Sequence, residues 1–126
     1  MAAIVLNAGA LIALDRGQRE VGALLAAAAD AGVEVKTSAA CVAQAWREPS
    51  RQARLTLALG GILECPLDSR TARACGLLLA RTGTSDVVDA ALTLIVGTGD
   101  TVLSSDRADI ARLLDALGRR ARLRSV

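Results

Sequence analysis

Four aspartates fall into two pairs of equal spacing, Asp86 with Asp89 and Asp106 with Asp109. A separation of three residues brings both members of a pair to one face of a helix. Asn7 closes the short apolar run Ile4-Val5-Leu6, and Ser104-Ser105-Asp106 closes a second run that starts at Thr101. Both polar points lie just past candidate strands, where ligand and metal sites of open parallel sheets collect. Carboxylates gathered there repel by on the order of 4 kcal/mol per close pair at an effective dielectric of about 20, and a divalent cation relieves that repulsion. The chain has no histidine, and Cys41, Cys65 and Cys75 lack CxxC spacing, so hard oxygen ligands point to Mg2+ or Mn2+ rather than zinc. One or two such ions can activate a water and stabilise the leaving oxygen of a phosphodiester. A plainer reading stands beside each feature. Asp86 and Asp89 near a helix start suit the macrodipole, and Asp106 can cap its own helix.

The lack of histidine removes Ser/His/Asp and Cys/His nucleophilic systems and HExxH zinc proteases together. With one Trp and no Phe or Tyr, the stacking platforms of oligonucleotide-binding folds and RRM modules are missing as well. Net charge is only +2, but the basic residues are almost all arginine, and eight of the fifteen are gathered in two stretches, Arg47 to Arg54 and Arg112 to Arg124. Arg47, Arg51 and Arg54 follow spacings of four and three, which would make a stripe beside Gln44 on a helical segment. The arginine fork suits phosphate, and such a stripe predicts salt-sensitive contact with an RNA backbone; a solvated charged face is the plainer alternative. Arg112, Arg119, Arg120, Arg122 and Arg124 form the second cluster. Trp46 is expected to pack rather than to bind.

These residues need elements to position them. At 126 residues and 52% hydrophobic, the chain has the size of one domain with a real aliphatic core. Strands are expected over 4–6, 33–36, 62–65, 101–104 and 120–124. Helices are expected over 8–14, 18–31, 39–47, 51–59, 68–81, 86–96 and 106–116. Gly32 stops the second helix, Thr37 or Ser38 caps the third, and Thr84 or Ser85 caps the one bearing Asp86 and Asp89. Strand and helix alternate, and the strands are short and continuously apolar, which argues for a parallel sheet covered on both faces. Unpaired thiols and the lack of a basic lead-in or a span of about 20 apolar residues predict a soluble, cytoplasmic protein with no membrane segment. The apolar helices over 18–31 and 51–59 are candidates for a partner surface or simply for the core.

The run IVLNAGALIALDR resembles the opening of PIN domains, usually a hydrophobic strand followed by Asp-Ala-Ser-Ala-Leu-Ile. TSDVVDAALTLIV resembles their helix bearing the third acid, TVLSSDRADI their strand ending in Thr-Ser-Asp, and CVAQAWREPSRQARL takes the place of the helix with the second acid. Together these pieces cover nearly the whole chain in order. The resemblance implies a single PIN-like domain over 1–126, an α/β three-layer sandwich with a central parallel β-sheet flanked by helices. It further implies a magnesium-dependent endoribonuclease of the VapC kind, the toxin of a VapBC toxin–antitoxin pair, acting on RNA as a homodimer and silenced by an antitoxin protein.

On that basis Asp89 and Asp106 match metal-binding acids, Asp86 and Asp109 are neighbours able to bind directly or through water, and Ser105 matches a small hydroxyl near the metal. Two positions depart from the family. Asn7 stands where the first aspartate is usual, and Gln44 where many members have glutamate. An amide keeps the shape and one oxygen of the acid but not its charge. Two functional readings follow: a metal-dependent ribonuclease impaired at Asn7, and a catalytically inactive PIN domain serving as an RNA-binding or antitoxin-binding module. A phosphotransfer domain of the response-regulator kind is disfavoured, since no paired acids precede a phospho-acceptor aspartate.

Overall fold

A computed structural model describes residues 2–126. Five strands and seven helices alternate along them: β1 (Ile4–Leu6), α1 (Ala8–Asp15), α2 (Arg19–Ala31), β2 (Val35–Ser38), α3 (Ala39–Ala45), α4 (Ala53–Leu59), β3 (Leu63–Cys65), α5 (Ser69–Thr82), α6 (Val87–Ile95), β4 (Thr101–Ser104), α7 (Arg107–Leu117) and β5 (Arg122–Ser125). All strands pair in parallel in one sheet of order β3-β2-β1-β4-β5. The α/β sandwich expected from the alternation is the observed architecture, a parallel sheet flanked by helices.

The two central strands are apolar because both of their faces are covered. Val5, Leu6, Val102 and Leu103 are all buried, and Leu6 stands in register with Leu103. The edge strands β3 and β5 are exposed, and Glu64, Arg122 and Arg124 charge them, which discourages further pairing. The chain leaves β1 towards β2 on one side and returns to β4 on the other. The carboxyl ends of β1 and β4 are therefore the topological switch point of the sheet, where a crevice opens.

Two apolar clusters hold the layers. The larger joins α1, the central strands, α3, α4, α6 and α7 through residues such as Leu11, Leu55, Leu92 and Ile110; half-buried Trp46 packs on it, as expected. The smaller consists of Cys75, Leu78, Leu79, Ala90, Ala91 and Leu113. It fastens α5, α6 and α7 to one another. Because Ala90 follows Asp89 and Leu113 lies one turn past Asp109, this cluster also fixes the distance between the two acidic helices.

Several expected boundaries move. β2 begins two residues later than the apolar run suggested and takes in Thr37 and Ser38. Thr37 is not a cap; its buried hydroxyl donates to Leu6 O of β1 at 2.7 Å, while Ser38 accepts from Cys41 N at 3.2 Å and caps α3. The helix expected over 39–47 stops at Ala45, and the one expected from Arg51 starts at Ala53, with a 3-10 turn over Pro49–Arg51 between them. Proline without a backbone N–H begins that turn, and the buried Gln52 side chain closes it by accepting from Arg47 N and Glu48 N and donating to Ala45 O. Gly32 ends α2 with φ +68°, as expected, and Gly118 ends α7 with φ +66°, the left-handed cap that glycine adopts without strain.

Candidate metal centre

The loop after β1 supplies Asn7, whose side chain is fully employed. Its Oδ1 accepts from Ala10 N at 2.8 Å and caps α1, and its Nδ2 donates to Ser104 Oγ at 3.0 Å and Ser105 Oγ at 3.4 Å. Ser104, at the end of β4, also accepts from Asp106 N at 2.8 Å. One buried hydroxyl thus joins the ends of the two central strands and orients the turn that carries Asp106. Gly9 makes the junction possible: a Cβ there would run into the Ser105 hydroxyl.

The other acids come from the starts of α6 and α7. Asp86, not Thr84 or Ser85, is the cap of α6, its Oδ1 accepting from Asp89 N at 3.0 Å. Capping accounts for one of its oxygens. Asp106 does not cap α7, since its side chain makes no such bond, so the plainer reading of that residue fails. Asp89 is 8% exposed, and its buried Oδ2 has no hydrogen-bond partner among the described residues. Thr93, one turn on, donates to the Asp89 carbonyl at 2.7 Å and steadies the helix beneath it.

Carboxylate oxygens of Asp89, Asp106 and Asp109 lie within 4.8 Å of one another. Burial, and then the charges of Asp86, Asp106 and Asp109, push the Asp89 carboxyl up to about 6. A hydrogen bond with Asp109 leads the causes that raise Asp106 above its ordinary value, followed by desolvation and the Asp109 charge. A buried carboxylate with one oxygen unpartnered and two more carboxylates close by is costly unless a proton or a cation occupies the gap. An all-oxygen donor set fits magnesium or manganese. The residues present therefore fit a divalent ion.

Asn7, Gln44, Asp86, Asp89, Ser105 and Asp106 line one cavity of about 180 Å³. The six candidate catalytic positions thus come together at the switch point, and Asp109 joins them through the carboxylate cluster. The arginine stripe does not form. The break after Ala45 destroys its helical spacing; the Arg47 guanidinium turns back to Ala43 O and Trp46 O, Arg51 pairs with Glu48 at 3.6 Å, and Arg54 lies against Gly17 beyond the far end of α1 from Asn7. In the second cluster Arg119 is structural, donating to the carbonyls of Thr93, Leu94 and Val96 at the end of α6. Residue types alone passed over Gly9 and gave Ser104 no role. Arg112 drew notice only as part of a run, although its place three residues after Asp109 already put it on the acidic face of α7.

No family model matches the chain, and no curated protein matches it. Solved structures do. One chain of the VapBC2 complex from Rickettsia felis, bound to a promoter DNA fragment, superposes with a TM-score of 0.65 at 11% identity, covering 98% of each chain. A chain of FitAB bound to the IR36 DNA fragment superposes with a TM-score of 0.58 at 17% identity, covering 95% of this chain and 94% of that one. At these identities the likeness is one of fold, a five-stranded parallel sheet flanked by helices, here with acids at its carboxyl edge.

Proposed function

We propose that this chain is a PIN-type endoribonuclease of the toxin–antitoxin kind, dependent on Mg2+ or Mn2+ and impaired by Asn7. The observation that carries the reading is the convergence of carboxylate oxygens of Asp89, Asp106 and Asp109 within 4.8 Å of one another, with a buried oxygen of Asp89 left without a hydrogen-bond partner among the described residues. Asp89, Asp106 and Asp109 would hold the ion. A divalent cation bound there supplies Lewis-acid chemistry suited to phosphodiester hydrolysis. The chain's own part is to fix three carboxylates on two helix starts, to keep Ser105 at the cavity wall, and to screen Asp89 from bulk water.

A toxin–antitoxin role is supported by two of the solved structures that share the fold being chains of toxin–antitoxin complexes, VapBC2 and FitAB. It is also supported by an apolar cavity of about 370 Å³ between α2 and α4, walled by Leu25, Ala29, Leu57 and Ile62 with Leu57 80% exposed. A cognate antitoxin segment would cover that groove. One observation favours the alternative of a binding module without catalysis: the Asn7 amide already serves the α1 cap and two serines.

Magnesium-dependent cleavage of structured RNAs by this chain, by Asn7→Asp and by Asn7→Asp/Asp89→Asn decides between them. Cutting by Asn7→Asp that the added Asp89→Asn removes is the expected result. Bound but uncut RNA in every variant gives the binding module.

A further inference from the structure

The acidic cluster has a second opening. A recess of about 280 Å³ is walled by Thr84, Ser85 and Arg112 together with Asp86, Asp89 and Asp109. It shares Asp86 and Asp89 with the cavity at Asn7, so the carboxylates form a partition between two lobes. The Asn7 lobe carries amides and the Ser105 hydroxyl. The far lobe carries two hydroxyls, from the loop between α5 and α6, and a guanidinium.

That guanidinium is unengaged. Arg112 is exposed on α7 one turn past Asp109, yet among the described residues it makes neither an ion pair nor a hydrogen bond, although three carboxylates line the same recess. By contrast Arg47, Arg51 and Arg119 all have partners. A free arginine fork beside the Ser85 hydroxyl matches the oxygens of a phosphate, while the Thr84 hydroxyl is already bonded to that of Thr82 at 2.8 Å. Neither Phe nor Tyr exists in the chain, and Trp46 packs on the core, so no aromatic face is available there to hold a base.

We infer that the Arg112 recess binds the RNA phosphate next to the one at the carboxylates, so that Arg112 sets the strand's register without reading sequence. The inference rests on the RNA reading above. The protein would then require a phosphate on each side of a register position, as an internal cut does.

The test is binding rather than turnover. Anisotropy of a short labelled oligoribonucleotide in Ca2+ is measured for Asn7→Asp alone and with Arg112→Ala, Arg112→Gln or, as a remote charge control, Arg19→Ala. Each is run on RNAs carrying one uncharged methylphosphonate at successive linkages. Both Arg112 variants should weaken binding about tenfold and flatten the salt dependence by about one phosphate contact, with thermal midpoints unchanged on this exposed helical position. The loss should vanish on the RNA whose neutral linkage occupies the recess. Unchanged RNA affinity, as for an arginine reserved for an acidic protein partner, or an equal loss at every linkage, overturns the inference. RNA binding without cleavage leaves it standing while defeating the nuclease reading, and no RNA binding by any variant defeats both.

Discussion

Asn7 sits where geometry and charge separate. Its oxygen performs the capping that an aspartate would, because Ala10 N fixes which side-chain atom accepts. Its nitrogen occupies the place of a second carboxylate oxygen and donates to Ser104 and Ser105. Replacing that nitrogen with oxygen needs no repacking, since each serine hydroxyl carries a proton it can turn towards an acceptor. Asn7→Asp should therefore fold as before, with the α1 start favouring the new charge, and should tighten Mn2+ binding by at least about tenfold, because a fourth carboxylate joins three that repel. Titration calorimetry reads this directly; an unchanged affinity would mean that the ion centres away from Asn7, towards Asp109. Asn7→Ala instead removes the cap and orphans the Ala10 amide, which costs about 1 kcal/mol or more.

At the scale of elements, what was legible followed from local rules, and what was not depended on distant partners. β1 and β4 announce themselves as continuous apolar runs ending in polar residues, so the switch point and the residues around it were readable before any coordinates. The arginine stripe failed because its spacing presumes an unbroken helix, whereas Pro49, which already separates the two expected helices, starts a turn that the buried Gln52 amide closes. β2 was misplaced because Thr37 and Ser38 look like caps; both belong to the strand, and the reach of Thr37 to Leu6 O shows that only Ser38 caps as well. Arg119 belongs to the same class. Its position in a basic run suggests nucleic acid, but its side chain closes the α6 carbonyls, with Leu94 O at 2.8 Å. Arg119→Ala should lower stability by roughly 1–3 kcal/mol and leave RNA affinity per folded molecule unchanged, as denaturant melts and anisotropy together would show; a loss of affinity without a loss of stability would return Arg119 to the binding surface.

The whole molecule feels the carboxylate cluster as a dependence of stability on pH. Asp89 titrates near 6 in the folded chain against an ordinary value of 3.8, and Asp106 is displaced in the same direction. A raised acid favours the folded state while protonated, so this contribution is complete below about pH 4 and is lost as pH rises through about 6. A displacement of about two units corresponds to on the order of 2–3 kcal/mol for Asp89. A divalent cation competes for the same oxygens and prefers them deprotonated. Its stabilisation therefore grows over the interval in which the proton's is lost, reaching about 2.7 kcal/mol at a hundred times the dissociation constant. With the ion chelated, the melting temperature should fall between about pH 4 and pH 6; with Mg2+ in excess it should hold nearly level, and the gap between the two curves should open as pH rises. Asp89→Asn removes the buried charge, so it should melt several degrees higher than the parent in chelator near neutral pH and should no longer respond to Mg2+. Parallel curves with and without Mg2+ across that range would mean that these carboxylates share a proton and hold no metal.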